Sequence, residues 1–175
     1  MSMIGNYCKI TKEQFDLLYQ NKIAVSEFLY SDGGHLSEND KLDIDKAWDI
    51  INFVLTGQSM MNMGEHMENM NNLPPIFHIV LGGKEISNED IGYGSARYLT
   101  NQEVKECYLS IKGMTKEDFQ KRSDIEKMLE NVVHPLMEDE DGEEVFEYSY
   151  HHFEALQSFF EQASSEDKYM LLYIN

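Results

Sequence analysis

Residues 42–57 read LDIDKAWDIINFVLTG, the strongest structural pattern in the chain. The apolar residues in it recur at helical spacing and are Ile44, Ala47, Trp48, Ile50, Ile51, Val54 and Leu55. So wide an apolar stripe is typical of a helix that is covered by protein on most sides. Asp43 or Asp45 can cap the start of this helix, and Gly57 can end it in a left-handed turn. The pattern therefore predicts a central core helix.

The composition limits the chain to one domain in a reducing compartment. A length of 175 residues with 42% hydrophobic content is enough for one core and too little for two. No apolar run is long enough to span a membrane, and the N-terminus lacks the pattern of a signal peptide, so we expect a cytoplasmic protein. Cys8 and Cys107 lie far apart, which favours buried, reduced thiols over a disulfide or a metal site.

The net charge is the strongest bulk property of the sequence. There are 32 acidic and 14 basic residues, which gives a formal charge of −18 at pH 7. This charge opposes binding to nucleic acids and to anionic membrane surfaces, and it attracts basic proteins. An acidic surface can also serve solubility alone, so the charge by itself leaves the partner open.

The remaining elements predict an α+β fold that is rich in helices. A Ser or Thr followed three residues later by a carboxylate or amide starts a helix at four places, which are Thr11 with Gln14, Thr100 with Glu103, Thr115 with Asp118, and Ser123 with Glu126. Further helices are predicted over residues 26–30 and 148–163. Residues 3–10 and 169–174 read as strands, the second one apolar on both faces and therefore central in its sheet. We predict a single domain over residues 1–175, with a small sheet that includes the N-terminal and C-terminal strands.

Three segments have weaker patterns. Residues 58–75 are rich in Met and Asn and are predicted to be a flexible loop; a soft-metal site with His66 is the alternative, but thiolate ligands are missing. Residues 76–81 fit either a strand or a buried helix. The acidic residues 138–144 lack the order of a calcium-binding loop and are predicted to be solvated.

The sequence contains no recognisable catalytic or metal-binding motif. We assign no catalytic residue, cofactor or metal, and a non-enzymatic role is favoured. One constellation deserves a ligand hypothesis: the aspartates at the core helix start, together with the glycine-rich loop 92–97, which is predicted to lead directly into the next helix. The ligand-binding candidates are Asp43, Asp45, Trp48, Tyr93, Arg97 and Tyr98. Alternatively, Arg97 pairs with Asp43 or Asp45 and only pins the loop to the core helix.

Several phrases of the sequence are similar to a known family. These are residues 3–5, residues 42–48 running to 55–57, residues 81–83, and residues 92–100. They resemble the YfbM-like family, a bacterial domain of unknown function, over essentially the whole chain. The resemblance implies a compact cytoplasmic α+β domain and brings no catalytic residue or cofactor with it. The family usually has proline where this chain has Ser95, which implies a less rigid loop here.

Two hypotheses for the function follow. The first is a non-enzymatic, acidic protein-interaction module that binds a basic partner, such as a basic toxin or nuclease in the manner of an immunity protein. The second is a small-molecule site, binding or enzymatic, between the Asp43/Asp45 helix start and the loop 92–97.

Overall fold

A five-stranded antiparallel sheet forms the centre of the molecule. The computed structural model describes residues 3–31, 34–62 and 72–175. The strands are β1 (Gly5–Ile10), β2 (Lys41–Asp43), β3 (Lys84–Asp90), β4 (Ser95–Leu99) and β5 (Tyr169–Ile174). They lie in the order β2-β1-β5-β4-β3, and all neighbours are antiparallel. The predicted α+β fold is therefore confirmed, including the N-terminal and C-terminal strands in one sheet.

Seven helices pack on the two faces of this sheet within the described residues. They are α1 (Lys12–Tyr19), α2 (Val25–Tyr30), α3 (Trp48–Thr56), α4 (Asn101–Ile111), α5 (Lys116–Arg122), α6 (Ile125–Glu130) and α7 (Gly142–Ser165). Helices α1 and α2 cover one face, on which Cys8 and Leu171 are buried. The other five cover the opposite face, on which Tyr7 and Leu172 are buried. We call these the α1 face and the α3 face. None of the helices described is long and apolar enough to cross a membrane.

The terminal strand β5 is the middle strand of the sheet, as its apolar sequence predicts. It pairs with β1 on one side and with β4 on the other. Leu171 belongs to the core on the α1 face and Leu172 to the core on the α3 face, and both are fully buried. Burial on both faces explains why this strand lacks the usual alternation of apolar and polar residues. Cys8 and Cys107 are free, buried thiols, as predicted.

The core helix is confirmed, but its predicted start is wrong. Residues 41–43 pair with β1 as an edge strand, and a 3₁₀ turn over Asp45–Ala47 precedes α3. Every residue from Trp48 to Leu55 is buried, so protein surrounds the helix as expected. Asp45 has a φ of 47°, which a helix cannot accommodate, so helical spacing alone placed the boundary too early. Gly57 ends the helix with a φ of 76°, as predicted.

Helix-start signals were accurate at three of the four predicted positions. Thr11, Thr100 and Thr115 each form a complete capping box. The fourth prediction is wrong, because Asp124 caps α6 by accepting the N–H of Lys127 at 3.2 Å. The hydroxyl of Ser123 instead donates to the carbonyl of Phe119 in the preceding helix, at 2.9 Å.

Three other segments differ from their predictions. Residues 95–99 form strand β4, so the glycine-rich loop leads into a strand and not directly into a helix. Helix α7 begins at Gly142, within the acidic segment predicted to be a solvated loop, because Asp141 caps it by accepting two N–H groups. Pro75–His78 is a 3₁₀ turn, neither strand nor α-helix.

The Met- and Asn-rich loop of residues 58–75 contains a 3₁₀ turn over Met60–Asn62. His66 and residues 63–71 as a whole lie outside the described residues.

Candidate functional site

The glycine-rich turn between β3 and β4 uses its own backbone donors. Asp90 accepts the N–H groups of Gly92 and Gly94, at 2.9 and 3.2 Å. The N–H of Tyr93 donates to the carbonyl of Ile174 at 3.0 Å, and the Tyr93 side chain is 43% exposed. Two of the donors that the sequence offered for a ligand therefore close the turn on Asp90, and the third holds the turn against the end of β5.

Arg97 holds a neighbouring turn in place. Its guanidinium donates to the carbonyl oxygens of Gly82 and Gly83, at 3.3 and 2.6 Å, and lies 3.7 Å from the carboxylate of Glu85. Its side chain is 13% exposed, and burial lowers the pKa of the guanidinium. The alternative that Arg97 pairs with Asp43 or Asp45 is wrong, because its contacts are within its own hairpin and with the turn before it.

Sheet geometry separates Arg97 from Asp43. Arg97 lies opposite Leu172 in β5, Leu172 lies opposite Tyr7, and Tyr7 lies opposite Leu42. This row of side chains points to the α3 face, so Asp43, the next residue along β2, points to the other side. Three strand spacings of about 4.8 Å add a lateral separation of roughly 14 Å. The structure does not bring these two candidates together.

Tyr98 is likewise part of a separate cluster. It is buried on the α1 face, where its ring lies 4.9 Å from that of Phe15 and 6.0 Å from that of Tyr19. Burial raises the pKa of its hydroxyl. These aromatic contacts are sufficient to explain why the sequence has a tyrosine at this position.

Asp45 lies in a different environment, at a tight turn that faces α7. Its left-handed backbone is tolerated by aspartate better than by most residues, and its N–H donates to Asp43 at 3.2 Å. The Tyr148 hydroxyl donates to the Asp45 carboxylate and accepts the N–H of Lys46, each at 3.1 Å. Burial and the hydrogen bond to Asp45 raise the pKa of Tyr148 to about 12. Tyr148 thus joins the start of α7 to the turn before α3.

A surface cleft of about 340 Å³ lies beside this contact, and we call it the Asp45 cleft. Its floor is apolar and consists of Ile50, Pro135, Leu136 and Val145. The polar side chains that line it are Asp45, Lys46, Glu140, Glu144 and Tyr148. Three carboxylates face a single ammonium group here, so the cleft favours a cationic group that carries an apolar stem.

Trp48 is the first residue of α3, where it supports the fold. It is 2% exposed, and its indole N–H donates to the carbonyl of Met3 at 2.9 Å. The imidazole of His134 stacks on it, with ring centroids 5.2 Å apart. Desolvation lowers the pKa of His134, whose Nε2 is buried and has no hydrogen-bond partner among the described residues.

Asp49 lies in the first turn of α3 and is fully buried, and hydrogen bonds satisfy its carboxylate. It accepts the hydroxyl of Ser59 at 2.8 Å, the N–H of Met60 at 2.7 Å and the N–H of His134 at 2.9 Å. Desolvation raises its pKa, against these hydrogen bonds. Its oxygens therefore fasten two loops to α3, and this role accounts for a carboxylate in the core.

The sequence analysis missed most of the residues that line the Asp45 cleft. Asp45 is the only predicted candidate that lines it, whereas Glu140 and Glu144 were assigned to a solvated loop. Tyr148 could have been predicted as a contact residue, because a tyrosine beside the apolar stripe of a helix needs a hydrogen-bond partner for its hydroxyl. In residues 3–31, 34–62 and 72–175, no group of three or more His, Cys, Asp or Glu could hold a metal ion.

Comparison with known proteins gives a consistent result. A family model described as a domain of unknown function, DUF1877, matches residues 1–173. Protein YfbM of Escherichia coli strain K12 is 29% identical over 137 residues, which are 77% of this chain and 74% of that protein. The crystal structure of YfbM from Escherichia coli, a protein of unknown function, superimposes with a TM-score of 0.73 at 23% identity. The superposition covers 98% of this chain and 99% of the YfbM chain. At this level of identity the likeness concerns the fold alone.

Proposed function

This chain belongs to the DUF1877 family, a family of domains of unknown function, and we propose that it is an acidic protein-interaction module. Its partner is a basic protein, and the Asp45 cleft is the centre of the contact. One observation carries the proposal: carboxylates that form no ion pair with the described residues line a partly apolar cleft in a chain whose net charge is −18.

The acidic side chains around the cleft are poorly neutralised. Glu138, Glu140, Glu143 and Glu144 are exposed, and none of them forms an ion pair with any described residue. Unpaired charges of one sign produce a local field that steers an oppositely charged protein and speeds its association. This field also discriminates against acidic partners.

The chemistry of the cleft fits a lysine or arginine side chain of the partner. The alkyl stem would pack on Ile50, Leu136 and Val145, and the charged head would lie among the carboxylates of Glu140 and Glu144. A toxin or nuclease with a basic active surface is a partner of this kind, and binding would then cover that surface as an immunity protein does.

The proposal is non-enzymatic and places the contact in the bacterial cytoplasm. Two observations support it. Asp49, a buried carboxylate next to Ile50 in the sequence, already accepts three hydrogen bonds, and these hold loops of the fold. The two cysteines are buried and form no disulfide with each other, which suits a reducing compartment.

Affinity purification from the native host tests the proposal. The bait is the wild-type chain, compared with the double variant Glu140→Gln, Glu144→Gln. The matched control is Glu13→Gln, Glu27→Gln, which makes the same charge change on the α1 face. We expect wild type and control to capture the same basic protein and the cleft variant to lose it. Capture of no basic protein, or equal capture by all three baits, would argue against the proposal.

A small organic cation is the second candidate for the Asp45 cleft, because 340 Å³ lies within the usual range of ligand pockets. The sequence suggests a site that includes Arg97, but Arg97 lies across the sheet, so this site would lie on the Asp45 side alone. Titration with N-acetyl-arginine amide, followed by NMR, tests it. Shifts at Tyr148 and Val145 with this small molecule, together with no captured protein, would favour the second candidate.

A further inference from the structure

Two of the most exposed apolar side chains in the described residues lie together beside the Asp45 cleft. Val132 is 68% exposed and Met137 is 67% exposed. Both line a groove of about 580 Å³, which we call the Val132 groove. Its other apolar residues are Leu129, Val133 and Leu136. Single exposed apolar residues are ordinary, but a cluster of them in a concavity is typical of a binding surface.

The backbone at Val132 is the second observation. Helix α6 ends in a Schellman motif, in which the N–H of Val132 donates to Leu129 and that of Val133 donates to Met128, each at 3.0 Å. The residue in the left-handed position of this motif is normally glycine. Here it is Val132, with a φ of 54°, which a β-branched side chain rarely adopts. Its side chain packs little against the residues that the structure describes, so those contacts do little to offset the strain.

Charge at the rim of the groove indicates the chemistry of what covers it. Glu126, Glu130 and Glu138 are exposed and line the groove, with no ion pair to any residue that the structure describes. Leu136 lines both this groove and the Asp45 cleft, so the two concavities are adjacent. Together they form one surface with apolar floors and acidic rims.

We infer that the Val132 groove is the docking surface for an amphipathic basic segment of the partner protein. An apolar side chain of that segment packs on Val132 and Met137, and its lysine or arginine residues face Glu126, Glu130 and Glu138. This inference rests on the proposed function and adds to it the character of the partner segment, which is an amphipathic helix with apolar anchors on one face and basic residues beside them. A basic surface of the partner that lacks apolar anchors would bind only at the Asp45 cleft.

The test uses two synthetic peptides of equal charge, one of leucine and lysine with helical amphipathic spacing, the other with alanine in place of leucine. Calorimetric titration gives the Kd of each peptide for the full chain and for the variant Val132→Gly. Glycine suits the left-handed backbone, so this variant stays folded. The matched control is Leu17→Ala, which removes an exposed apolar side chain from α1 on the other face.

We expect the leucine–lysine peptide to bind more tightly than the alanine–lysine peptide. Val132→Gly should weaken the leucine–lysine peptide about tenfold, the loss that corresponds to one buried valine side chain. Leu17→Ala should leave its Kd unchanged. If both peptides bind equally and Val132→Gly changes neither, the inference is overturned while the proposed function stands. If neither peptide binds, the inference is overturned, and the capture experiment decides the proposed function separately.

Discussion

Val132 combines exposure with a backbone conformation that suits glycine, and this combination has a measurable consequence for stability. The left-handed conformation costs a residue with a side chain roughly 1–2 kcal/mol, whereas glycine adds flexibility to the unfolded chain. We therefore predict that Val132→Gly raises the free energy of unfolding by up to about 1 kcal/mol, measured by urea denaturation with Trp48 fluorescence. A loss of stability would mean that the valine packs usefully within the chain.

Asp49 is the residue whose loss should matter most to the fold. Asp49→Ala leaves the donors of Ser59, Met60 and His134 without their acceptor, so we expect a loss of about 3 kcal/mol or more. Ser59→Ala removes only one of these hydrogen bonds and should cost about 1 kcal/mol. Equal costs in urea denaturation of the two variants would contradict the role given to Asp49.

His134 should make the protein less stable in mild acid. Burial lowers its folded-state pKa below the ordinary value of 6.5, so the unfolded chain binds the proton more readily. Stability from this group is complete above pH 6.5 and falls as the pH drops towards the folded pKa. The raised pKa of Asp49 acts in the opposite direction, because the folded state then takes up its proton first.

Substitution of His134 by phenylalanine isolates its share of this pH dependence. His134→Phe retains a ring to stack on Trp48 and cannot be protonated. We predict that thermal unfolding midpoints of the variant fall less between pH 7 and pH 5 than those of wild type. Parallel curves for the two proteins would show that His134 does not contribute to the decline.

At the scale of elements, the start of α6 offers a direct test of how the helix is capped. Asp124→Ala removes the acceptor of the Lys127 N–H and should cost about 1 kcal/mol. Ser123→Ala is the neighbouring control and should cost less, since its hydroxyl bonds the Phe119 carbonyl at the end of α5 and does not cap the N–H groups of α6. A larger cost for Ser123→Ala in urea denaturation would restore Ser123 as the cap.

Local patterns predicted the elements well where one short-range interaction decides them. The three capping boxes depend on residues three apart, and the burial of β5 is visible in its unbroken apolar run. The predicted boundaries of elements were wrong where a segment distant in the sequence determines them. Residues 41–43 become a strand because β1 lies beside them, and helical spacing in the sequence does not contain that information.

The candidate site was predictable only in part for the same reason. Asp45 was found because it starts a strong pattern, but its partner Tyr148 is 103 residues away along the chain. Arg97 was assigned to it on chemistry alone, and the sheet order puts β1 and β5 between them. Which charged residues meet across a sheet depends on strand order, which the residue types do not encode locally.

At the scale of the whole molecule, a charge of −18 should also oppose folding. Repulsion among carboxylates is stronger in the compact state, and salt screens it over about 8 Å at 0.15 M. We predict that the free energy of unfolding rises as sodium chloride is added from low ionic strength to about 0.15 M. Salt also weakens the exposed ion pairs in this range. An unchanged free energy of unfolding would therefore show that attraction balances repulsion, and a falling one that attraction exceeds it.

The same charge gives the most direct test of the proposed function. Stopped-flow measurements would follow the association of the purified chain with the basic protein that it captures, over a range of salt concentrations. We predict an association rate that falls steeply with salt, and a shallower dependence for Glu140→Gln, Glu144→Gln than for Glu13→Gln, Glu27→Gln. A rate that is insensitive to salt, and equal in all three proteins, would contradict the account.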